Sequence, residues 1–165
     1  MKYYLGVGSN LGNRQFYLRQ ALKMMEQRGL GRILAKSSLY LTEPVGAEDQ
    51  NWFLNAVVVL ESELAPEELM QALLEIEENL GRKRKKGEKN LPRTIDLDIL
   101  LADDIIFEGE GVVIPHPRVG ERRFVLEPLC EIAQHLIEPR SKKKVSELLK
   151  DLKNDKKVIR LDEKL

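Results

Sequence analysis

Cysteine is almost absent from this sequence of 165 residues, which contains only Cys130. A single thiol excludes an internal disulfide framework and is typical of the reducing cytoplasm, so we expect a cytoplasmic protein. Charge of one sign is not in excess either, because 27 Lys and Arg residues balance 27 Asp and Glu residues. Zero net charge gives no global field that would select nucleic acid or an anionic membrane.

Long hydrophobic runs are also missing. No apolar stretch reaches the length of a transmembrane helix, and the first residues are too short and too polar a segment for a signal peptide, so we expect neither. Aromatic residues make up only 5% of the chain, which argues against the stacking platforms of single-stranded nucleic-acid binders. The length predicts a single domain over residues 1–165 with a core of ordinary size.

The most informative stretch that is present spans residues 94–101. Side chains on a strand point to opposite faces with period two, so one face of this predicted strand carries Asp96 and Asp98. The other face carries the aliphatic set Ile95, Leu97, Ile99 and Leu101. Two ionised carboxylates this close repel each other unless a divalent cation lies between them, and hard oxygen ligands suit Mg²⁺. The alternative is a solvated strand face that happens to contain two Asp residues.

A cationic segment precedes this strand. Seven Lys and Arg residues lie within residues 82–93, among them Arg82, Arg84 and Arg93. Gly87 and Pro92 interrupt the segment, which predicts a loop rather than a helix. A basic loop that ends at a strand with two carboxylates is what binding of a metal-bound polyphosphate requires, and the guanidinium fork of Arg93 suits phosphate oxygens.

The sequence alone leaves two interpretations open for each of three further residues. Asn55 lies in a strongly apolar strand, where its amide either bonds to neighbouring backbone or binds the edge of a heterocycle. His116 stands between two prolines, either as a surface residue in a rigid turn or as part of a site. Glu77 borders the apolar stripe of a predicted helix, which favours a surface acid that balances the cations after it.

Local patterns predict the remaining elements. Helices are expected over residues 14–28, 66–80, 124–136 with a break at Pro128, and 145–152. Strands are expected over residues 3–7, 33–41, 53–61, 105–107 pairing back on 95–101, 112–114 and 158–161. This order predicts an α+β fold: a single-domain sandwich of a mainly antiparallel, ferredoxin-like sheet with helices packed on it.

Several of these segments together resemble the 6-hydroxymethyl-7,8-dihydropterin pyrophosphokinases of folate biosynthesis. The resemblance rests on Gly8-Ser9-Asn10-Leu11-Gly12, Phe53-Leu54-Asn55-Ala56-Val57, Gly81-Arg82-Lys83-Arg84, Pro92-Arg93-Thr94-Ile95-Asp96-Leu97-Asp98-Ile99 and the run from Pro115-His116 to Arg122-Arg123-Phe124. It extends from Tyr4 to about Ile137 and implies an α+β fold. It also implies transfer of the β,γ-diphosphate of ATP to the hydroxymethyl group of the pterin, with release of AMP.

The resemblance also implies roles by position. The catalytic residues are Arg82, Arg93, Asp96 and Asp98. Asp96 and Asp98 hold two Mg²⁺, and one of these two carboxylates accepts the proton of the hydroxymethyl group. The ATP phosphates contact Arg84, His116 and Arg122, although Arg123 could take the place of Arg122. The pterin is bound by Thr42, Pro44, Val45, Phe53, Asn55 and Phe124. Glu77 supports the basic segment and the metal site from outside.

The chain departs from the family pattern in one loop. An Arg-Trp pair is common shortly before the Pro-Arg of the motif, whereas this chain has Lys89-Asn90-Leu91 and a slightly longer loop. We predict altered closure over ATP with an unchanged reaction. Two other functions use the same residues: a small nucleic-acid-binding module with the basic loop, and a metal-dependent phosphohydrolase with the two Asp residues. Neither requires Asn55 or Phe124. The expected partners are therefore the small molecules ATP and pterin, bound by a monomer, with no nucleic acid or membrane.

Overall fold

The computed structural model describes residues 1–44, 51–82, 94–153 and 156–165. The strands are β1 (Lys2–Ser9), β2 (Arg32–Lys36), β3 (Ser38–Thr42), β4 (Phe53–Glu61), β5 (Asp96–Ala102), β6 (Phe107–Gly109), β7 (Val112–Ile114), β8 (Ile137–Glu138), β9 (Lys143–Lys144) and β10 (Val158–Lys164). The helices are α1 (Arg14–Gln27), α2 (Pro66–Asn79), α3 (Arg123–Ala133) and α4 (Val145–Asp151), with a 3-10 turn at Val119–Glu121.

Six of the strands form one antiparallel sheet. Its order is β10-β3-β4-β1-β5, and β2 pairs with β4 beside β3. The strands β6 and β7 form one small hairpin, and β8 and β9 form another. Because β1 lies between β4 and β5, Asn55 of β4 and the two Asp residues of β5 lie on either side of β1.

Helices cover both faces of this sheet. On one face, α1 and α2 bury a stripe that includes Leu18, Leu69 and Leu73, all fully inaccessible to solvent. On the other face, α3 and α4 bury a second cluster around Leu126 and Val145 against strand residues such as Val57. Each fully buried Leu side chain contributes about 1.5–3 kcal/mol relative to an exposed one. The predicted α+β fold with helices packed on the sheet is confirmed.

Helix boundaries follow local chemistry. The Asn13 side chain accepts a hydrogen bond from the backbone N–H of Phe16 at 3.1 Å and caps α1. Pro66 occupies the first turn of α2, where a missing N–H has no consequence, and Glu68 accepts from the backbone N–H of Ala65 at 3.1 Å. No helix in the described ranges is long and apolar enough to cross a bilayer.

Two predicted elements are wrong in detail. The strand expected over residues 33–41 is divided at Ser37, whose backbone N–H donates to the Val57 carbonyl and whose hydroxyl accepts from the Val57 N–H, both at 2.9 Å. The predicted break of the last long helix at Pro128 is absent, since α3 continues through it. Burial of neighbours such as Leu126 and Leu129 outweighs the single hydrogen bond that the proline removes.

The pairing around β5 also differs from the prediction. The short strand after the turn at residues 103–104 is Phe107–Gly109, and it pairs with β7 instead of with β5. In β5 itself, Tyr4 pairs with Leu101 and Leu5 pairs with Ile99, so Leu100 is an extra residue in a β-bulge. The bulge places both Leu100 and Leu101 in the cluster under α3, whereas Leu101 was expected with Ile99 on the opposite face.

Candidate active site

A glycine on the central strand brings two predicted site residues into one row. Gly8 of β1 pairs with Asn55 of β4 on one side and with Asp96 of β5 on the other. Neighbouring strands lie about 4.8 Å apart, so Asn55 and Asp96 have Cα atoms about 10 Å apart across the glycine. A Cβ atom at position 8 would overlap the amide oxygen of Asn55. The absence of a side chain at Gly8 therefore leaves the space that the Asn55 amide occupies.

Asp96 and Asp98 share the face of the sheet that α3 covers. Asp98 pairs with Gly6, and a Cβ at Gly6 would contact the side chain of Leu100, which belongs to the cluster under α3. Burial, and then the charge of Asp96, raises the pKa of Asp98 to about 7, although the guanidinium groups of Arg122 and Arg82 act in the opposite direction. Two half-buried carboxylates on one face of a strand repel each other, and a bound cation would stabilise them.

Glu77 ties the end of α2 to the start of β5. Its carboxylate accepts the backbone N–H of Leu97 at 2.8 Å and lies 2.5 Å from the Arg82 guanidinium. The same Arg82 nitrogen lies 2.8 Å from Asp96. The Glu77 side chain is only 2% exposed, so the interpretation as a surface acid is wrong. Arg82 is held between two carboxylates at the edge of the site.

His116 is fixed by its backbone and by one ring nitrogen. Its N–H donates to the Leu100 carbonyl at 2.8 Å, and Nδ1 accepts the N–H of Arg118 at 3.1 Å. Burial and the nearby charges of Arg122 and Arg118 lower the pKa of this imidazole. A neutral ring whose Nδ1 is an acceptor carries its proton on Nε2, which leaves Nε2–H available as a donor.

The two consecutive arginines at the start of α3 have different surroundings. Arg123 lies 3.2 Å from Glu127 and donates to the Leu152 carbonyl at 3.4 Å, so it joins α3 to the end of α4. Arg122 has its guanidinium carbon 5.5 Å from the ring centre of Phe124, a cation–π arrangement. The charge of Arg122 also acts on Asp98 and His116. These contacts favour Arg122 over Arg123 as the arginine of the site.

A polar and aromatic wall completes this side of the sheet. The Asn55 amide donates to the Thr42 hydroxyl at 2.7 Å, and Thr42 pairs with Phe53 across the strands. Thr42 and Pro44 are buried and Phe53 is half-buried. Since Phe53, Asn55 and Val57 alternate along β4 and Val57 lies under α3, Asn55 and Phe53 face α3 as well.

Three predicted site residues lie outside the described residues: Val45, Arg84 and Arg93. The altered loop with Lys89 lies outside them too. Within the described ranges, no group of three or more His, Cys, Asp or Glu side chains could hold a metal ion. The described residues that could hold one are therefore the two carboxylates of β5, and a hard cation there would need water or substrate oxygens as its further ligands.

Sequence reasoning gave no role to Glu131 and Arg140. Arg140 donates to the carbonyl of Pro115 at 3.0 Å and so holds the turn that carries His116. Glu131 joins α3 to β3 through several hydrogen bonds. The only sequence signal for Glu131 is its position seven residues after Phe124, which places both on one face of α3.

Comparison with known proteins shows the family to which the chain belongs. The family described as 7,8-dihydro-6-hydroxymethylpterin-pyrophosphokinase (HPPK) matches residues 4–134. A 2-amino-4-hydroxy-6-hydroxymethyldihydropteridine pyrophosphokinase of Bacillus subtilis is 46% identical over 133 residues, which cover 81% of this chain and 78% of the relative. The Haemophilus influenzae protein of the same name is 40% identical over 161 residues and is covered to 97% of its length.

The fold has a counterpart among solved structures. The Plasmodium falciparum HPPK-DHPS structure with SDX-DHP superposes with a TM-score of 0.68 at 17% identity, over 90% of this chain. This chain covers only 43% of that longer chain. The superposition shows a shared α+β fold, in which helices pack on a mainly antiparallel sheet. The chain belongs to the 7,8-dihydro-6-hydroxymethylpterin-pyrophosphokinase family.

Proposed function

We propose that this chain transfers the terminal diphosphate of ATP to the hydroxymethyl group of 6-hydroxymethyl-7,8-dihydropterin, in folate biosynthesis. The observation that carries the proposal is the row Asn55–Gly8–Asp96, which joins a heterocycle-binding wall to a carboxylate pair on one face of the sheet. Family membership and the names of the relatives support the same reaction.

The pterin lies against the wall next to β4 in this proposal. Asn55 binds the edge of the ring, where an amide supplies both a donor and an acceptor. Thr42 orients that amide through its 2.7 Å hydrogen bond, and Phe53 and Phe124 provide the apolar and aromatic surface. Pro44 and Val45 complete the pocket by position.

The two carboxylates of β5 suit Mg²⁺. Asp96 and Asp98 supply hard oxygen ligands, and the pKa of Asp98 is raised first by burial and then by the charge of Asp96, both of which a bound cation would offset. By resemblance to the family we propose two Mg²⁺, an ion that usually binds through one or two carboxylates together with water and phosphate oxygens. When bound, the ions neutralise phosphate charge and make the acceptor hydroxyl easier to deprotonate. An Asp96→Asn variant is expected to lose most of its turnover, and full activity in that variant would refute the metal assignment.

The reaction itself is a single displacement. The hydroxymethyl oxygen bonds to the β-phosphorus, the bond from that phosphorus to the oxygen of the α-phosphate breaks, and AMP leaves. The hydroxyl proton passes to Asp96 or Asp98. The protein's main task is to align the reactants and balance charge, since such transfers need no covalent intermediate with the enzyme.

Cationic and neutral donors then share the phosphate charge. His116 donates from Nε2, because Nδ1 already accepts the Arg118 N–H. Arg122 lies beside Phe124 and close enough to Asp98 and His116 to influence both. Arg82 keeps its contact with Asp96, and Arg84 and Arg93 take the remaining positions by resemblance. Preorganised donors of this kind stabilise the charge that develops on the leaving oxygen.

Product analysis tests the proposal directly. The protein is incubated with Mg²⁺, ATP and the hydroxymethyl-dihydropterin, and the nucleotides are separated. AMP formed only in the presence of pterin is the expected result. Release of ADP or inorganic phosphate without pterin would instead favour the phosphohydrolase, which uses the same two Asp residues. We further propose that the chain is a single cytoplasmic domain. We also propose that it is a monomer, which a molar mass measured by light scattering can test.

A further inference from the structure

Glu131 joins α3 to the sheet through several hydrogen bonds. Both of its carboxylate oxygens accept the backbone N–H of Ser38 at 3.0 Å, and one accepts the Ser38 hydroxyl at 3.1 Å. The Tyr40 hydroxyl donates to the other oxygen at 2.7 Å. Arg160 of β10 lies 3.5 Å away, and the Glu131 side chain is only 12% exposed. The reaction described above makes no use of this group.

The partners of Glu131 lead along β3 to the pterin wall. Ser38, Tyr40 and Thr42 alternate on β3, so all three side chains point to the face that α3 covers. Tyr40 pairs with Asn55, and Thr42 accepts the hydrogen bond of the Asn55 amide. Glu131 therefore holds the two residues of this row that precede Thr42.

Phe124 stands at the other end of the same helix face. Seven residues separate it from Glu131, nearly two helical turns and about 10 Å along the axis. Phe124 lies at the start of α3 beside Arg122, at the site end, and Glu131 lies toward the far end. From Ser38 to Thr42 the strand covers about 13 Å toward the same site. A pterin slot between Phe124 on α3 and the Thr42–Asn55 pair on the sheet would therefore have the Glu131 contacts at its far end.

We infer that Glu131 is a positioning residue that sets the width of the pterin slot, by fixing the distance from Phe124 on α3 to the Thr42–Asn55 pair on the sheet. Four directional hydrogen bonds to one short strand fix both the spacing and the rotation of the helix, which apolar packing alone does less strictly. The ligand of the slot is a flat heteroaromatic ring, and in this respect the inference rests on the proposed function.

Kinetic constants for each substrate distinguish positioning from general stability. Glu131→Ala removes the whole bridge, and Tyr40→Phe removes one hydroxyl with little risk to folding. Glu131→Gln keeps an oxygen for the Ser38 N–H and an N–H₂ group for the Tyr40 oxygen. Ser62→Ala is the matched control, because the buried Ser62 hydroxyl makes two hydrogen bonds just beyond the far end of β4.

Pterin affinity is measured as KM and, with a non-hydrolysable ATP analogue present, as the Kd of 6-hydroxymethylpterin by calorimetry. We expect Glu131→Ala to raise both about tenfold, since a shift of about 1 Å in a binding group can cost up to 10²-fold. The KM for ATP should rise less than the KM for pterin, because Arg122 beside α3 is one of several proposed phosphate contacts and the others lie on other segments. Tyr40→Phe should show a smaller change of the same kind, and Glu131→Gln should stay near the wild type.

Two results would overturn the inference: equal changes in pterin and ATP constants, or a Ser62→Ala variant that loses pterin affinity as much as Glu131→Ala does. Failure of the proposed function has a different signature, because the wild type itself would then form no AMP. The calorimetric comparison between Glu131→Ala and Ser62→Ala remains decisive for the slot in that case.

Discussion

Replacement of Glu77 by alanine tests the buried link between α2 and β5 most sharply. The Glu77 carboxylate is 2% exposed, lies 2.5 Å from Arg82 and accepts the Leu97 N–H at 2.8 Å. Arg82 in turn is 11% exposed and contacts Asp96. The substitution therefore leaves a buried guanidinium with one partner fewer and a buried N–H without an acceptor.

The size of the effect follows from these contacts. Removal of one partner from a buried, hydrogen-bonded ion pair costs about 3–5 kcal/mol, and an unsatisfied buried N–H costs about 1–3 kcal/mol. Asp96 keeps part of the attraction to Arg82 at 2.8 Å, which lowers the first figure. We expect the free energy of unfolding to fall by about 4 kcal/mol in Glu77→Ala. For a chain of this length that corresponds to a Tm lower by about 8–16 °C.

Urea and thermal denaturation of the purified variant measure this change. Glu78→Ala is the matched control, since Glu78 is the next residue of the same helix and is exposed. It should stay within about 0.5 kcal/mol of the wild type, as exposed positions usually do. The free energy of unfolding of Glu77→Gln, which keeps an acceptor for the Leu97 N–H, should lie between those of Glu77→Ala and Glu78→Ala. A Glu77→Ala protein within about 1 kcal/mol of the wild type would refute the reasoning.

Two further predictions concern the glycine row and a structural carboxylate. In Gly8→Ala the new Cβ displaces the Asn55 amide, so the KM for pterin should rise about tenfold while the KM for ATP stays nearly constant; equal changes in both would contradict the assignment. The pKa of Glu138 lies below the ordinary value of 4.5, although burial alone would raise it. Hydrogen bonds from the Ser141 side chain and from the backbone N–H groups of Arg140 and Ser141 lower the pKa, and so does the charge of Arg140. Together these contributions outweigh burial. Its stabilisation is present above pH 4.5 and is lost as the pH falls through the folded pKa. The stability gap between wild type and Glu138→Gln, measured by urea denaturation, should therefore narrow below pH 4.5, and a constant gap would contradict this.

Strand periodicity predicted the carboxylate pair but not the whole strand. Asp96 and Asp98 share a face because alternation is a property of every extended chain. Leu101 changed face because a bulge at Leu100 inserts one residue opposite β1, and local sequence gives no signal for such an insertion. The partner of Phe107–Gly109 was wrong for a similar reason, since strand pairing depends on tertiary packing that a short apolar run cannot specify.

Burial of charged residues was the harder part of the site to predict. Glu77 borders an apolar stripe, and such residues are usually solvated. Its burial follows from Arg82 and the Leu97 N–H, which come from two other segments of the chain. The role of Gly8 likewise depends on Asn55, 47 residues later, lying directly opposite it. Local patterns can suggest which residues carry chemistry, but these long-range contacts decide which of them meet.

The path of the phosphorus atoms tests the central claim most directly. ATP labelled on its γ-phosphorus, and separately on its α-phosphorus, is incubated with the protein, Mg²⁺ and 6-hydroxymethyl-7,8-dihydropterin, and the products are separated. Diphosphate transfer predicts the γ-label in the pterin product and the α-label in AMP, in equal amounts. A γ-label found as inorganic phosphate, or an α-label recovered in ADP, would contradict the account.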